Sequence, residues 1–336
     1  MSDQARAPMW FAILLAVALI VSVTALIFGA KPMTLSQALA ALSSPAGGTD
    51  SIIVWTLRMP RSIAAYLAGA ALAVSGYLLQ SITRNPLAAP DLTGVTAGAV
   101  AFIVASFVLF PAVSSTLYPA IGMVGGLAAA ALTLWTARGG RASPLHLALG
   151  GITVALFLNA VTTYLLVRGG PQSPSVLFWL SGGFQGRSWA QVGYMLPWIV
   201  VGLGIALCCH RIIALLSLGD EAAAGMGANP DLWKLVLLAA AICLVAGVTP
   251  VAGPVAFVGL AAPHLVRLLR PGSALWALLL NIALGGCLLM TADALARSVA
   301  APREIPVSIF TALIGGPVFV YLTQRGPRPG AGGGRR

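Results

Sequence analysis

The sequence predicts an all-α membrane protein of ten transmembrane helices, and three observations carry that expectation. Charge-free stretches of twenty residues or more recur along the chain, each long enough to cross a bilayer at about 1.5 Å per residue. Of 336 residues, 59% are hydrophobic and 8% charged, which leaves almost no polar surface for a water-facing domain. The basic residues, in turn, are distributed unevenly between alternate loops.

The stretches are 7–30, 62–83, 92–137, 142–167, 188–210, 235–266, 271–292 and 305–324. Two of them, 92–137 and 235–266, exceed one helix, so each is expected to fold into two spans, near Pro111 and Ser114 and near Pro250 to Pro254. The first run is longer than the 7–15 residues of a signal-peptide core, so it reads as a retained span. One membrane domain, 1–325, covers the pattern, and the glycine–arginine tail 326–336 is expected to be disordered and cytoplasmic.

With the amino terminus inside, 12 of the 19 Lys and Arg fall on the cytoplasmic side, as an even span count with both termini inside requires. The other seven are Lys31, Arg58, Arg61, Arg168, Arg187, Arg297 and Arg303. The net charge of +11 does not point to nucleic acid, because the cations stand singly between apolar spans with no basic stripe. Cys208, Cys209, Cys243 and Cys287 lie in apolar runs without C-x-x-C spacing and read as small hydrophobes, with neither disulfide nor metal site.

Between the spans, 169–187 carries Phe178, Trp179 and Phe184, with Trp189 just beyond, and is expected to lie at the outer interface as a short helix with its rings at headgroup level. Small residues recur every four positions, at Ala65, Gly69 and Ala73, at Gly94 and Gly98, and at Gly122, Gly126 and Ala130. Such faces let helix backbones approach closely in lipid, where no hydrophobic drive brings helices together.

Four segments and a terminal motif carry chemistry. In Leu57-Arg58-Met59-Pro60-Arg61, proline starts a helix and the two arginines fall three apart at its mouth. Guanidinium forks aimed outward suit carboxylates on a docking protein, although these residues taken alone favour interfacial snorkelling. Thr83 to Gly94 holds two prolines and Asp91, read as a capping aspartate that stops one helix and starts the next. Leu218 to Asn229, inside a segment of about 217–230, opens on Asp220 and Glu221 and closes on Gly227. It is either a capped connector or a rigid cytoplasmic helix of two or three turns that another subunit can push.

The run Pro250 to His264 is dense in Gly and Pro, which implies a broken or short span whose backbone must be covered by protein or line a water-filled cavity. His264 has no acid beside it and reads as an interfacial hydrogen-bonded residue rather than a proton relay. Asp293 and Arg297 stand four apart, the spacing of a helix ion pair, shortly before Glu304-Ile305-Pro306-Val307.

Together, L-R-x-P-R, R-N-P-L-A-x-P-x-L-x-G, G-x-E-x-A-x-x-x-G, V-A-G-P-V-x-F-V-G-L-x-x-P-H and E-I-P-V, in register over 52–324, closely resemble the FecCD-type permeases of ABC importers for iron-siderophores, haem and cobalamin. The resemblance implies the type II importer permease fold and a subunit that pairs with a second permease subunit in the bacterial plasma membrane. It also implies two ATPase subunits and a periplasmic or lipid-anchored binding protein. It assigns Asp220, Glu221, Ala222, Gly225 and Gly227 to ATPase coupling, Arg58, Arg61 and Arg297 to binding-protein docking, and Asn85, Pro86 and Leu87 to the cytoplasmic gate. The wider E-A-A-x-x-x-G importer signature matches from Glu221 to Gly227, without its hydrophobic I-x-L-P ending.

The expected cargo is a ferric-siderophore-type chelate, with cobalamin or haem as the alternative. The chain has no G-x-x-x-x-G-K-[ST] phosphate loop, and neither of its lysines, Lys31 and Lys234, follows a glycine. It is therefore expected to hold no cofactor itself, with ATP and Mg bound by the partner ATPase. A proton-coupled carrier is the competing class, and it would need buried acids on the substrate path, whereas the acids here stand at span ends. An intramembrane enzyme would need a nucleophile and base or a metal cluster, and His146, His210 and His264 lie far apart in sequence.

Overall fold

A computed structural model describes residues 3–29, 31–44, 47–91, 93–137, 144–169, 176, 179–299, 301 and 304–325. The tail expected to be disordered, 326–336, lies outside the described residues, as do Phe178, Arg303 and most of 170–178. The described residues form helices and connecting loops, in the order α1 (Asp3–Ile27), α2 (Leu35–Ser43), α3 (Thr49–Ile52), α4 (Met59–Thr83), α5 (Val95–Leu109), α6 (Tyr118–Ala137), α7 (Pro144–Arg168), α8 (Trp189–Cys208), α9 (His210–Leu218), α10 (Asp220–Gly225), α11 (Pro230–Ala252), α12 (Val258–Leu268), α13 (Ala274–Ser298) and α14 (Val307–Arg325). A π-helical turn, Ile53–Arg58, joins α3 to α4.

Among the described residues, seven helices are long and apolar enough to span a membrane: those of α1, α4 with its preceding turns, α6, α7, α8, α11 and α13. Three more apolar stretches, Val95–Leu109, Val258–Leu268 and Val307–Pro317, are shorter. The long run 92–137 divides at Phe110 to Ser114, where Pro111 stands. The run 235–266 breaks at Gly253, within the expected Pro250 to Pro254, after α11 has continued through Pro250 to Ala252. Its second piece, α12, has 11 residues, about half a span.

Helix α4 lies at the centre, packed against α13, α11, α12 and α8. Small residues make this possible. A Cβ on Gly76 would lie 1.8 Å from the Gly259 carbonyl oxygen, and one on Gly69 would lie 2.1 Å from that of Gly285. The same crossing joins α5 to α6, where a Cβ on Gly98 would fall 2.3 Å from the Gly125 oxygen. The Ala65–Gly69–Ala73 stripe is thus a packing face, where dispersion between backbones replaces the solvent-driven association of soluble helices. Helix α1 sits at the periphery, resting on α13 and turning Leu19 and Ile20 outward.

The backbone break between α11 and α12 is covered, as its depth in the bundle demands. Gly253 has φ 68°, and a Cβ there would come 2.1 Å from the Trp179 carbonyl oxygen. Gly183 N donates to Ala252 O at 2.8 Å, Val307 N to Gly182 O at 3.0 Å, and Trp179 Nε1 to Pro250 O at 3.2 Å. The segment Trp179–Gly183 is therefore a plug against the broken span. Phe184 is fully buried in the core, which corrects its expected place in an outer aromatic belt. Its ring fills the space beneath the plug, whereas Trp189 stays 43% exposed and donates to Trp55 O at 2.8 Å.

Candidate functional site

The segment expected to couple to an ATPase is a pair of short helices hinged at Gly219, whose φ of 121° suits a residue without a Cβ. Helix α10 has six residues, fewer than the two or three turns expected; α9 contributes nine more on the other side of the hinge. Ala223 is fully buried and anchors α10, while Glu221, Ala222, Gly225 and Gly227 face outward. Leu218 and Met226, 69% and 53% exposed, flank this free face. Gly227, at φ 83°, ends the element, and Asn229 caps α11 by accepting from Leu232 N at 3.2 Å.

Asp220 ties the segment to the bundle. Its Oδ2 accepts from Lys234 Nζ of α11 at 2.5 Å, and its Oδ1 lies 3.4 Å from the Arg84 guanidinium at the inner end of α4. The hydrogen bond from Lys234 holds the Asp220 carboxyl below the usual carboxylate range against the opposing push of burial, and the charges of Lys234 and Arg84 add to the lowering. Sequence reasoning had placed Arg84 in the hairpin and Asp220 in the coupling segment, and the fold brings the two together.

In the hairpin itself, Arg84 adopts the left-handed conformation at φ 50° and stops α4. Asn85 Oδ1 accepts from Leu87 N at 2.9 Å, a turn closed by the side chain, and Ala88 N reaches Asn85 O at 3.1 Å. Pro86 and Arg84 line a cavity, while Leu87 is 40% exposed. Asp91 does not cap α5: Gly94 occupies the N-cap position with no side-chain bond, because the chain turns through φ 78° there. Asp91 instead lines a cavity of about 590 Å³ between α5 and α7, with Thr96, Asn159, Thr162 and Thr163.

At the N-terminal end of α4, Arg58 and Arg61, with Arg297 of α13, are 6%, 7% and 5% exposed, so their guanidinium groups do not aim outward as helix spacing suggested. The π-helical turn before α4 directs Arg58 back to α1, where it donates to the carbonyls of Leu26, Ile27 and Lys31 and caps the carbonyl end of that helix. Arg61 Nε donates to both oxygens of fully buried Asp293, at 3.0 and 3.1 Å, and its NH1 donates to both oxygens of Glu304, at 2.8 and 3.0 Å. Arg297 adds a contact to Asp293 Oδ2 at 3.2 Å, the expected i,i+4 pair, and a bond to Ser62 Oγ at 3.0 Å. The partnership of Arg61 with Asp293 and Glu304 spans more than two hundred residues and was missed. Its signal was the acid itself, since a carboxylate on a buried helix face requires a cation beside it.

His264 Nδ1 lies 3.2 Å from an Arg267 NH2 group, as an interfacial hydrogen-bonded residue would. Cys209, Cys243 and Cys287 are buried and free, whereas Cys208 is exposed. Among the described residues no three His, Cys, Asp or Glu side chains converge on a metal-sized site.

Residues 14–325 match the FecCD transport family. The Fe(3+)-citrate import system permease protein YfmD of Bacillus subtilis strain 168 is 38% identical over 300 residues, covering 89% of each chain. The ferric enterobactin transport system permease protein FepD of Escherichia coli K12 is 34% identical over 320 residues, 95% of this chain and 96% of its own. A solved structure described as an inward-facing metal-chelate type ABC transporter superposes with a TM-score of 0.80 at 27% identity, covering 95% of this chain and 99% of that one. A match of this extent, on a bundle whose hinged inner helices and broken span carry the family's motifs, makes the chain a member of the FecCD transport family, the permeases of ABC importers.

Proposed function

We propose that this chain is the membrane permease through which an ABC importer brings a ferric chelate into the cytoplasm, with cobalamin or haem as the alternative cargo. The observation that carries the reading is the end-to-end likeness to a permease for Fe(3+)-citrate, 89% of either chain. The cavity between α5 and α7 supports it: hydroxyls of Thr96, Thr162 and Thr163, the amide of Asn159 and the single carboxylate of Asp91 are too few hard ligands for a bare metal ion and suit a cargo that arrives with its metal already liganded. Ten spans are proposed, with α5, α12 and α14 as the short members and both termini cytoplasmic.

Two permease subunits, two ATPase subunits and a substrate-binding protein would complete the machine. Coupling is proposed at α10 and its end, where Asp220, Glu221, Ala222 and Gly225 stand between exposed Leu218 and Met226, apolar knobs suited to a groove on the ATPase, and Gly227 follows. Gating is proposed at Asn85, Pro86 and Leu87, one ion pair away from α10 through Arg84 and Asp220. A docking role for Arg58, Arg61 and Arg297 requires rearrangement: a carboxylate of the binding protein reaches Arg61 by displacing Glu304, whose side chain is 35% exposed.

Proteoliposomes holding the chain with its ATPase and binding protein test the reading. Radiolabelled ferric citrate or a ferric siderophore should enter only with ATP and binding protein present. Uptake driven by a proton gradient alone, or robust uptake of uncomplexed Fe2+ or Fe3+, would sink it.

A further inference from the structure

A second cavity, of about 500 Å³, opens among α4, α9, α12 and α13, and of its lining the transport reading uses only Pro86 and Arg84. Its polar lining comes from Tyr77, Gln80, Ser81 and Arg84 along the last turns of α4, Ser217 of α9, Arg267 of α12 and Ser273 before α13. None of its lining residues is acidic. Arg267 donates to Gln80 Oε1 at 2.5 Å and lies 3.2 Å from His264 Nδ1, so its described hydrogen-bond partners are both neutral. Among the described residues it has no ion pair. Arg84 shares the single carboxylate of Asp220 with Lys234. The cavity therefore holds positive charge that its own walls do not neutralise.

Its depth is marked by aromatic rings. Trp276, on the first turn of α13, meets Phe11 of α1 edge to face at 6.2 Å and 62°, beside the cavity's Ser273 and Ala274. Tryptophan prefers the headgroup level of a bilayer, so the two arginines stand where lipid phosphates lie. The last turns of α4 and α12 and the first turn of α13 form the walls, and Arg211 of α9 and Arg270 beyond α12 add exposed cations at the same end of the bundle.

We propose that this cavity binds a phosphate monoanion, supplied by the headgroup of an anionic phospholipid such as phosphatidylglycerol, with Arg84 and Arg267 as its counter-charges. A phosphodiester presents two free oxygens to two guanidinium groups, and the neutral hydroxyls of Ser217 and Ser273 suit the glycerol part of such a headgroup. The proposal is independent of the cargo.

The full chain, purified in detergent, is stripped of lipid and supplied with equal phosphatidylglycerol and phosphatidylethanolamine, and retained lipid is read by native mass spectrometry. Phosphatidylglycerol should be retained in preference, with a loss of roughly fivefold for each of Arg84→Gln and Arg267→Gln. Ser217→Trp, which fills the cavity without changing charge, should also release it, and Arg211→Gln, outside the lining, should not. Thermal unfolding confirms that each variant is folded. Protection by millimolar inorganic phosphate, lost in Arg267→Gln and with no lipid retained, assigns the same chemistry to free phosphate. Retention of phosphatidylglycerol undiminished in both Arg267→Gln and Ser217→Trp, or neither lipid preference nor phosphate protection in the parent, overturns the proposal.

Discussion

Asp293→Asn isolates the outer charge cluster. The substitution keeps the size of a fully buried side chain but removes the one carboxylate that Arg61 and Arg297 share, at 2.9 and 3.2 Å. Both arginines are less than a tenth exposed, so neither can turn to water, and the remaining carboxylate, Glu304, touches only Arg61. Breaking a buried ion pair from one side costs about 3–5 kcal/mol, because the surviving charge keeps its desolvation penalty without its partner. Glu304→Gln removes a contact that is 35% exposed and already partly screened, which should cost about 1 kcal/mol. A thiol-reactive dye can read the difference. With Cys208→Ser removing the exposed thiol, labelling of Cys209, Cys243 and Cys287 reports unfolding in a denaturant titration. Replacing Asp293, Arg61 and Arg297 together by Leu, Met and Met should recover most of the loss, since an apolar substitute carries no desolvation penalty. The reasoning is refuted if Asp293→Asn unfolds within about 1 kcal/mol of the parent, or if Glu304→Gln is the more damaging change.

Gly76→Ala should prevent stable folding, by about 3 kcal/mol or more, since its Cβ would meet backbone that cannot give way, 1.8 Å from Gly259 O. Gly204→Ala, with nothing within 4 Å, should leave the same dye-labelling midpoint unchanged. Glu221→Lys, on the free face of α10, should abolish ATP-driven uptake in proteoliposomes while leaving insertion and folding intact; uptake at the parental rate would remove the coupling role. Asp220 has a depressed folded pKa, so its ion pairs contribute their full stability above the ordinary carboxylate value and lose it as pH falls through the folded value. The stability gap between the parent and Asp220→Asn, within about 1 kcal/mol for a pair this exposed, should hold steady above about pH 5 and close below about pH 4. A gap that widens on acidification would contradict that assignment.

Much of the fold was legible because charge gaps measure where a chain can leave water. The gap 271–292 becomes α13 at Ala274–Ser298, and the division near Pro111 falls where α5 gives way to α6. What gaps do not measure is continuity of the helix within them. The break after Ala252 is met by a backbone bond from Gly183, some seventy residues earlier, and α12 is the short piece that the Gly and Pro density allowed, a length that the gap itself does not show. The site shows the same division. Asn85, Gly219 and Gly227 have local roles that their turns require, and they sit where the sequence placed them. Arg58 and Arg61 do not point as a regular helix would aim them. A π-helical turn changes the register before Pro60, and the attraction that holds Arg61 inward comes from Asp293, a residue whose neighbourhood no local pattern reveals.

The two charge clusters on α4 differ in one physical respect, access to water. At the outer end Asp293 is wholly buried and Arg61 nearly so, and in that low dielectric neither partner can separate without a penalty of several kcal/mol. At the inner end Arg84 and Asp220 are 48% and 40% exposed, and water can replace either partner at a cost of about 1 kcal/mol or less. The helix between them has 25 residues and packs backbone to backbone against α13 and α12, so it cannot bend locally to absorb a displacement. A force applied at α10 therefore meets a contact that yields before α4 does, and the outer cluster is the last to part. Of the two clusters on α4, the one at Arg84, rather than the one at Arg61, separates at the lower cost.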